Sequence, residues 1–310
     1  MRFAIQHSIG DPNWRPACLA PETVADFARR SESCGFDAIA FTDHPAPSSR
    51  WIDHGGEGVA DPFSSLGFCA ALTSRIRLLT FVMVPAYRNP FLLAHQIATL
   101  DALSGGRVTI GVGTGYLFPE FRALGVDPGE RLARFDENVE LMRRAWAGET
   151  IKAEVGTIAA RDTKVIPPIT QVPHPPIWIH GNSSFGLERT VRYGSGWLAM
   201  MTSNEAIFKT IRTRAITDTA ALARRISDLR NALDTAGRDP SEVTIAVSGM
   251  WPILDIRNGA SPAGYLDQVA ELESLGVEWL ISTICGDDPA AARDTLDHFG
   301  ENVIAVAQPG

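Results

Sequence analysis

The sequence has few cysteines and no excess of positive charge. Each of these two absences argues against a class of protein. Its four cysteines include no C-x-x-C pair, and the spacing of Cys18, Cys34, Cys69 and Cys285 fits neither a zinc site nor a disulfide framework. With 36 acidic and 28 basic residues the formal net charge is −8, which argues against a nucleic-acid or anionic-membrane surface because phosphate binding needs clustered Lys and Arg. We therefore expect a protein of a reducing compartment with no nucleic-acid or membrane partner.

Long hydrophobic runs are missing as well. No stretch approaches the ~18 apolar residues of a membrane span, and the N-terminal MRFAIQHSIG is typical of a strand rather than of the apolar core of a signal peptide. These absences predict a soluble cytoplasmic protein. The acidic balance does not argue against a phosphorylated cofactor, because backbone amides at a helix N-terminus can hold a phosphate.

Several catalytic motifs are also absent. The chain has no G-x-S-x-G for a serine nucleophile and no H-x-H or H-E-x-x-H spacing for a metal. The glycine-rich stretch RVTIGVGTGY, residues 107–116, resembles the dinucleotide fingerprint G-x-G-x-x-G, but Tyr116 stands where the last glycine belongs. The stretch also follows three strand–helix units instead of opening the first one, so we interpret it as a fourth β-strand, with a structural turn as the alternative.

Strand and helix patterns alternate along the whole chain. Helix boundaries carry typical caps, such as Asn89 and Pro90 before one helix and two glycines after it. Eight units with no linker and no change in composition predict an α/β fold, a closed (β/α)8 TIM barrel with insertions, rather than an open doubly wound sheet. The predicted strands are residues 2–9, 36–44, 76–84, 107–113, 176–181, 195–201, 243–250 and 277–284.

Two segments interrupt this alternation within the single domain that we expect over residues 1–310. Residues 148–176 combine weak strand patterns with five prolines, and we expect an excursion there, such as a hairpin, over one end of the barrel. A second excursion is expected over residues 203–216, before a helix at 217–236.

Polar side chains collect at the predicted C-terminal strand ends, where TIM barrels place their active sites. Asp43 and His44 end an otherwise apolar second strand, and histidine is the side chain best suited to proton transfer near neutral pH. A solvated turn is the alternative. A metal site would need three convergent ligands, which His7, Asp43, His44 and His180 could supply in principle, although their spacing does not support it.

The stretch HGNSS, residues 180–184, suggests an anion site. Gly181 permits a tight turn after the fifth strand, and a helix follows Asn182 or Ser183 with its first-turn amides free. Such a helix N-terminus can bind a phosphate, and an ordinary helix cap is the alternative.

The tryptophans fall into two groups. Trp178, Trp197 and Trp279 lie on predicted strands and are expected in the core. Trp14 and Trp51 lie in predicted loops, where they could line the mouth of the barrel or cover its end.

Five segments in order resemble the luciferase-like monooxygenase superfamily, and within it the oxidoreductases that depend on the deazaflavin coenzyme F420. They are GFDAIAFTDH, NPFLLAHQIATLDALSGGRVTIGVGTGYLFPEF, RFDENVELMRRAWAGE, PPIWIHGNS with YGSGWL, and LESLGVEWLIS. The resemblance covers nearly the whole chain. It implies a (β/α)8 barrel with an insertion before the fifth strand, a flavin or deazaflavin at the C-terminal mouth, a small-molecule substrate and a homodimer.

The resemblance also assigns roles to residues. It implies that His44 donates or accepts a substrate proton, that Asp43 makes a polar contact with the cofactor ring, and that Phe81–Val82 is a non-proline cis peptide beside that ring. The glycines of the fourth strand would then let a planar ring approach the backbone. The other implied cofactor contacts are Thr80, Gly113, Thr114 and Tyr116, with Gly181, Asn182 and Ser183 at the phosphate.

Two positions depart from the family pattern. His180 stands where the family usually has glycine, and Tyr116 stands where its sugar-phosphate dehydrogenases have an acid. Their Lys and His ligands for a substrate phosphate have no match here. A more apolar or aromatic substrate is therefore expected, and the candidate pocket residues beside Tyr116 are Trp51, Phe118, His180 and Met200.

The choice of cofactor decides the reaction. Reduced F420 donates a hydride and reacts poorly with oxygen, whereas reduced FMN activates O2 for oxygenation. The resemblance favours F420-dependent hydride transfer to or from a small organic substrate, with an FMN-dependent monooxygenase as the alternative. A binding-only protein of the same fold and, outside the family, a metal-dependent TIM-barrel hydrolase also stay open.

Overall fold

The computed structural model describes residues 1–7, 16–56, 58–156, 158–259 and 261–308. Within them, eight parallel strands close into a barrel in the order β1-β10-β9-β8-β7-β4-β3-β2, and β5 and β6 form a separate antiparallel pair. The predicted (β/α)8 barrel is therefore confirmed. The strands are β1 (Arg2–Gln6), β2 (Ala38–Phe41), β3 (Arg77–Met83), β4 (Val108–Val112), β5 (Ile151–Val155), β6 (Ile158–Thr163), β7 (Ile177–His180), β8 (Gly196–Met200), β9 (Thr244–Ser248) and β10 (Trp279–Thr283).

Helices surround the barrel, and several begin as the sequence predicts. The Asn89 side chain accepts hydrogen bonds from the amides of Phe91 and Leu92, with Pro90 in the first turn. No helix in the described ranges is both long and apolar enough to cross a bilayer. The helices are α1 (Pro21–Ser33), α2 (Ser49–Asp53), α3 (Pro62–Ala70), α4 (Pro90–Ser104), α5 (Phe118–Ala123), α6 (Arg131–Trp146), α7 (Ser184–Tyr193), α8 (Glu205–Thr210), α9 (Thr219–Thr235), α10 (Pro262–Ser274), α11 (Pro289–Phe299) and α12 (Ala305–Ala307).

The two predicted excursions contain regular structure. The β5–β6 hairpin lies within residues 148–176, between the outer helix α6 and strand β7. The segment 203–216 contains the short helix α8. The first strand was expected to continue to residue 9, but residues 8 and 9, like Trp14, lie outside the described residues.

The interior of the barrel is filled by side chains rather than open. Trp178 and Trp279 pack edge to face there, with ring centroids 5.1 Å apart, among small alanines and a few aliphatic residues. Trp197 is fully buried as well, so the three strand tryptophans are core residues as predicted. These side chains fill the interior of the barrel. A ligand site is therefore expected at the C-terminal ends of the strands.

Candidate active site

A cavity of about 680 Å³ opens at the C-terminal ends of the barrel strands. This volume is in the range of small-molecule and cofactor pockets. Most of the predicted site residues line it together, although they are spread over strands β2 to β8. They are Asp43, His44, Trp51, Phe81, Val82, Gly113, Thr114, Tyr116, His180, Gly181, Ser183 and Met200.

Strand β3 is irregular where it reaches the cavity. The peptide bond between Phe81 and Val82 is cis, as the family resemblance implied. The pairing of β3 with β4 shifts its register between Thr80 and Met83, so that the ladder is interrupted at the two residues that border the cavity.

The glycines of β4 accommodate this irregular segment. A Cβ atom on Gly111 would lie 2.2 Å from the carbonyl oxygen of Thr80, and one on Gly113 would lie 2.9 Å from Val82 Cγ2. At both positions the absent side chain makes room for β3. Gly113 and Gly115 also border the cavity, so the interpretation that glycines make room for a ligand ring stays a prediction.

Asp43 is buried and its carboxylate is fully engaged. It accepts hydrogen bonds of 2.6 and 2.7 Å from the Arg88 guanidinium and one of 3.0 Å from the Val84 amide. A buried pair of this kind is stable when its geometry and hydrogen bonds are matched, and removal of one partner leaves an uncompensated charge. These contacts position Asp43 at the end of β3, where it also lines the cavity, and its contact with the cofactor ring stays a prediction.

His44 is held at the cavity wall through both ring nitrogens. Its Nδ1 lies 3.1 Å from Glu120 Oε2, and its Nε2 lies 3.3 Å from the Tyr116 hydroxyl. A carboxylate accepts but does not donate, so the Glu120 contact favours the tautomer with the proton on Nδ1. The second nitrogen, Nε2, then accepts a hydrogen bond from the Tyr116 hydroxyl, and both residues line the cavity.

Glu120 is not among the residues predicted from the sequence, although it is fully buried beside His44. It also accepts hydrogen bonds from the Tyr87 hydroxyl at 2.8 Å and from the Ala46 amide at 3.0 Å. Burial and the Glu120 charge raise the pKa of the Tyr87 phenol, which keeps it a donor. One pattern could have found Glu120: an acid after Pro119 is typical of a first helical turn, and an acid among large apolar neighbours needs partners.

Three aromatic rings form one wall of the cavity. His44, Trp51 and Tyr116 contact one another with centroid separations of 5.7 to 6.2 Å, mostly edge to face. Such a wall offers apolar surface with few polar atoms, which suits an apolar or aromatic ligand group.

His180, at the end of β7, adds an uncharged side chain to the cavity. Its burial lowers the pKa of the imidazole to about 4, so it is neutral at physiological pH. The departure from the glycine usual in the family therefore adds bulk without charge.

The N-terminus of α7 also borders the cavity, but its amides are used differently from the prediction. The Gly181 amide donates to the Leu198 carbonyl at 3.3 Å, and the Asn182 amide donates to Thr213 Oγ1 at 2.8 Å. Ser183 Oγ caps the helix by accepting from the Gly186 amide at 3.1 Å. The amides of Gly181 and Asn182 are thus already bonded within the protein, and the anion site expected at Gly181, Asn182 and Ser183 stays a prediction.

Three predicted site residues do not line the cavity. The Thr80 hydroxyl is buried and donates to the Gly111 carbonyl at 2.9 Å. Asn182 is fully buried, and its Nδ2 donates to the carbonyls of Met200 and Arg214 at 2.7 and 2.9 Å. Phe118 lies under the side chains of two arginines. Thr80 and Asn182 thus support the site instead of touching a ligand, and Phe118 contacts residues that border it.

The suggested metal ligands are held in separate contacts. The His7 ring stacks on Phe41 with centroids 5.0 Å apart, whereas Asp43 pairs with Arg88. In the described ranges, the side chains that lie close enough together to share a metal ion are others than these four. The Arg257 guanidinium donates hydrogen bonds to both carboxylates of that group. That group is Asp255, Cys285 and Asp287.

Comparison with known proteins agrees with this geometry. Residues 1–257 match the family model described as luciferase-like monooxygenase. An uncharacterized protein of Mycobacterium tuberculosis is 42% identical over 139 residues, which are 41% of this chain and 49% of that one, so the match spans about half of this relative. An F420-dependent glucose-6-phosphate dehydrogenase of Beutenbergia cavernae is 32% identical over 286 residues, covering 87% of this chain and 82% of that protein.

The fold has a close counterpart among solved structures. The monooxygenase RslO1 from Streptomyces bottropensis superposes with a TM-score of 0.80 over 99% of this chain and 100% of that one, at 23% identity. The family match over residues 1–257 and the dehydrogenase relative together show that this chain belongs to the luciferase-like monooxygenase family.

Proposed function

We propose that this enzyme transfers a hydride between the deazaflavin F420 and a small organic substrate, with His44 exchanging the accompanying proton. The observation that carries the proposal is the placement of His44 between Glu120 and Tyr116 in the same cavity as the Phe81–Val82 segment. The Beutenbergia cavernae relative, named as an F420-dependent dehydrogenase, supports this choice of cofactor.

The residues around the cavity fit a planar cofactor with a phosphorylated side chain. Val82, Ile179 and Ile281 supply apolar lining for a ring system. Ser183 and Phe185 bring the N-terminus of α7 to the same cavity, where free amides and the helix dipole favour a phosphate.

His44 is proposed to exchange the proton that must accompany hydride transfer. When bound, reduced F420 supplies a hydride. A carbonyl group that accepts a hydride at carbon must also gain a proton at oxygen, and an alcohol that is oxidised must lose one. His44 can exchange that proton through Nε2, while the buried Glu120 carboxylate fixes the ring and stabilises its positive charge.

The lining of the cavity argues for an apolar or aromatic substrate. Trp51, Tyr116 and Met200 present apolar surface, and His180 is neutral. Tyr116 occupies the place where the sugar-phosphate dehydrogenases have an acid, which argues against a sugar phosphate as the substrate.

An FMN-dependent monooxygenase is the second candidate. Its support is the structural likeness to a monooxygenase and the α7 N-terminus, which would suit the phosphate of FMN equally well.

Cofactor titration separates the two candidates. Purified enzyme is titrated with oxidised F420 and, separately, with FMN, and each complex is then reduced without oxygen. We expect saturable F420 binding and no FMN binding. Binding of FMN alone would refute the hydride-transfer proposal and favour oxygenation.

Replacement of His44 tests the proton-transfer role. We expect His44→Ala to keep its affinity for F420 and to lose about 10²- to 10⁴-fold in turnover, because general acid–base catalysis contributes on that scale. Turnover is measured by the change in F420 absorbance with a panel of carbonyl and alcohol substrates. Unchanged turnover with every substrate that the wild type accepts would remove His44 from the mechanism.

A further inference from the structure

Two arginines at the cavity share one aromatic ring. The guanidinium carbon of Arg212 lies 3.9 Å from the centroid of the Phe118 ring, and that of Arg131 lies 5.3 Å from it. Both arginines line the cavity, although Phe118 does not. We call these three residues the arginine stack.

The arginine stack lacks the acidic partners that neighbouring arginines have. Among the described residues, no carboxylate forms an ion pair with Arg131 or Arg212, and Arg131 Nε is buried without an acceptor. Burial and the Arg212 charge lower the pKa of Arg131, so the two cations oppose each other. Other arginines nearby in the sequence do have acidic partners, in the pairs Arg134–Glu130 and Arg189–Asp136.

The backbone at Arg212 is held beside the cavity by hydrogen bonds to the two residues that follow it, Thr213 and Arg214. The Asn182 amide donates to Thr213 Oγ1, and the Asn182 side chain donates to the Arg214 carbonyl. Arg212 itself has a φ of 56°, a left-handed conformation that is uncommon for a residue other than glycine. Two like charges therefore lie over the same ring at a cavity wall, and an anion that contacts both would relieve their repulsion.

We infer that the arginine stack binds an anionic chain of the ligand, in addition to the phosphate at the N-terminus of α7. The inference rests on the proposed F420 dependence. The F420 side chain carries a phosphodiester followed by glutamate carboxylates, whereas FMN ends in one phosphate group. Guanidinium groups bind carboxylates through charge-assisted hydrogen bonds. The arginine stack would therefore bind the glutamate carboxylates of F420, which FMN lacks.

A set of deazaflavins with different side chains tests this inference. The ligands are the ring with its ribityl chain alone, the phosphorylated form without glutamates, and forms with two and five glutamates. The proteins are the wild type, the Arg131→Gln/Arg212→Gln variant, and an Arg122→Gln/Arg224→Gln control that removes two exposed charges from outside the cavity. Affinity is measured by deazaflavin fluorescence at low and high salt.

The inference predicts that affinity of the wild type and the control rises with glutamate number and falls with salt. The stack variant should bind the five-glutamate form about tenfold more weakly than the wild type does. Its affinity for the ring with the ribityl chain alone should be unchanged, and that result would show that its cavity is intact. Equal losses for both ligands would overturn the inference. Unchanged affinity for the five-glutamate form would overturn it too. Wild-type enzyme that binds FMN but no deazaflavin would refute the proposed function itself.

Discussion

Glu120 holds the His44 ring in a defined orientation at the cavity wall. A buried carboxylate with three hydrogen-bond donors around it has little freedom to move, and it therefore fixes the imidazole plane and its tautomer. The arrangement resembles the pairing of an acid and a histidine in hydrolases, but here it would serve proton exchange with a substrate oxygen instead of activation of a nucleophile.

Replacement of Glu120 by glutamine tests this positioning role. The amide keeps the size of the side chain but removes the charge that stabilises a protonated imidazole. We expect Glu120→Gln to lower turnover by about 10²-fold and to move the acidic limb of the pH–rate profile to lower pH. The measurement is kcat and KM across pH, with F420 affinity as the check on the cavity.

Tyr87→Phe is the matched comparison, because it removes a donor to Glu120 and leaves the His44 contact in place. A profile that shifts in Tyr87→Phe as much as in Glu120→Gln would contradict the specific role of the carboxylate.

His180 should make the fold sensitive to acid. The pKa of His180 is about 4 in the folded protein and near 6.5 in an unfolded chain, so between these values the unfolded state binds more protons. Stability from this residue is therefore intact above pH 6.5 and is lost as pH falls toward 4. The loss over the whole interval amounts to roughly 3–4 kcal/mol at most.

We expect His180→Gln to reduce this sensitivity. Urea unfolding of both proteins at pH 7.5 and 4.5 measures it, and the wild type should lose more stability than the variant over that interval. An equal loss in the two proteins would show that His180 titrates normally in the folded state.

At the scale of elements, the contact between β3 and β4 imposes the strictest packing requirement near the site. The Gly111 Cα approaches the Thr80 carbonyl so closely that no side chain fits between them. Backbone atoms cannot rotate away as a flexible side chain can, so the strands would have to separate.

We expect Gly111→Ala to destabilise the fold by several kcal/mol, on the order of 3. Gly67→Ala in α3 is the control, because nothing lies within 4 Å of the Cβ that it would add. That change should stabilise the protein by about 0.5–1 kcal/mol, since alanine is the better helix former. Thermal unfolding of both variants checks the pair, and a stable Gly111→Ala protein would show that β3 can shift.

The sequence predicts regular elements better than short ones. Strands and helices such as β4 and α4 carry their own periodicity and caps, which local patterns reveal. The helices α2, α5 and α8 have only five or six residues each, which is too few for a periodic pattern, so the sequence does not predict them as helices. Glu120 lies in α5, and the lack of a helical pattern there is one reason why the sequence does not reveal it as a site residue.

At the scale of the whole molecule, closure of the barrel follows from the count of units, and closure brings the strand ends together. The sequence therefore identifies most residues that border the cavity. It does not reveal which polar groups are already satisfied by distant partners. Arg88 neutralises Asp43 across 45 residues, and Thr213 occupies the Asn182 amide across 31. Such pairings depend on tertiary contacts that no local pattern encodes.

The distribution of tryptophans gives the molecule a built-in optical probe. Among the described tryptophans, Trp51 borders the cavity, Trp178, Trp197 and Trp279 are buried in the barrel strands, and Trp146 and Trp251 lie away from the cavity lining. A ligand that fills the cavity would quench the Trp51 indole by direct contact and would shift its emission maximum by displacing water. The interior indoles would change little and provide a constant background. A Trp51→Phe protein would keep this background and lose the contact-dependent component, so occupancy could be followed even for ligands that do not fluoresce.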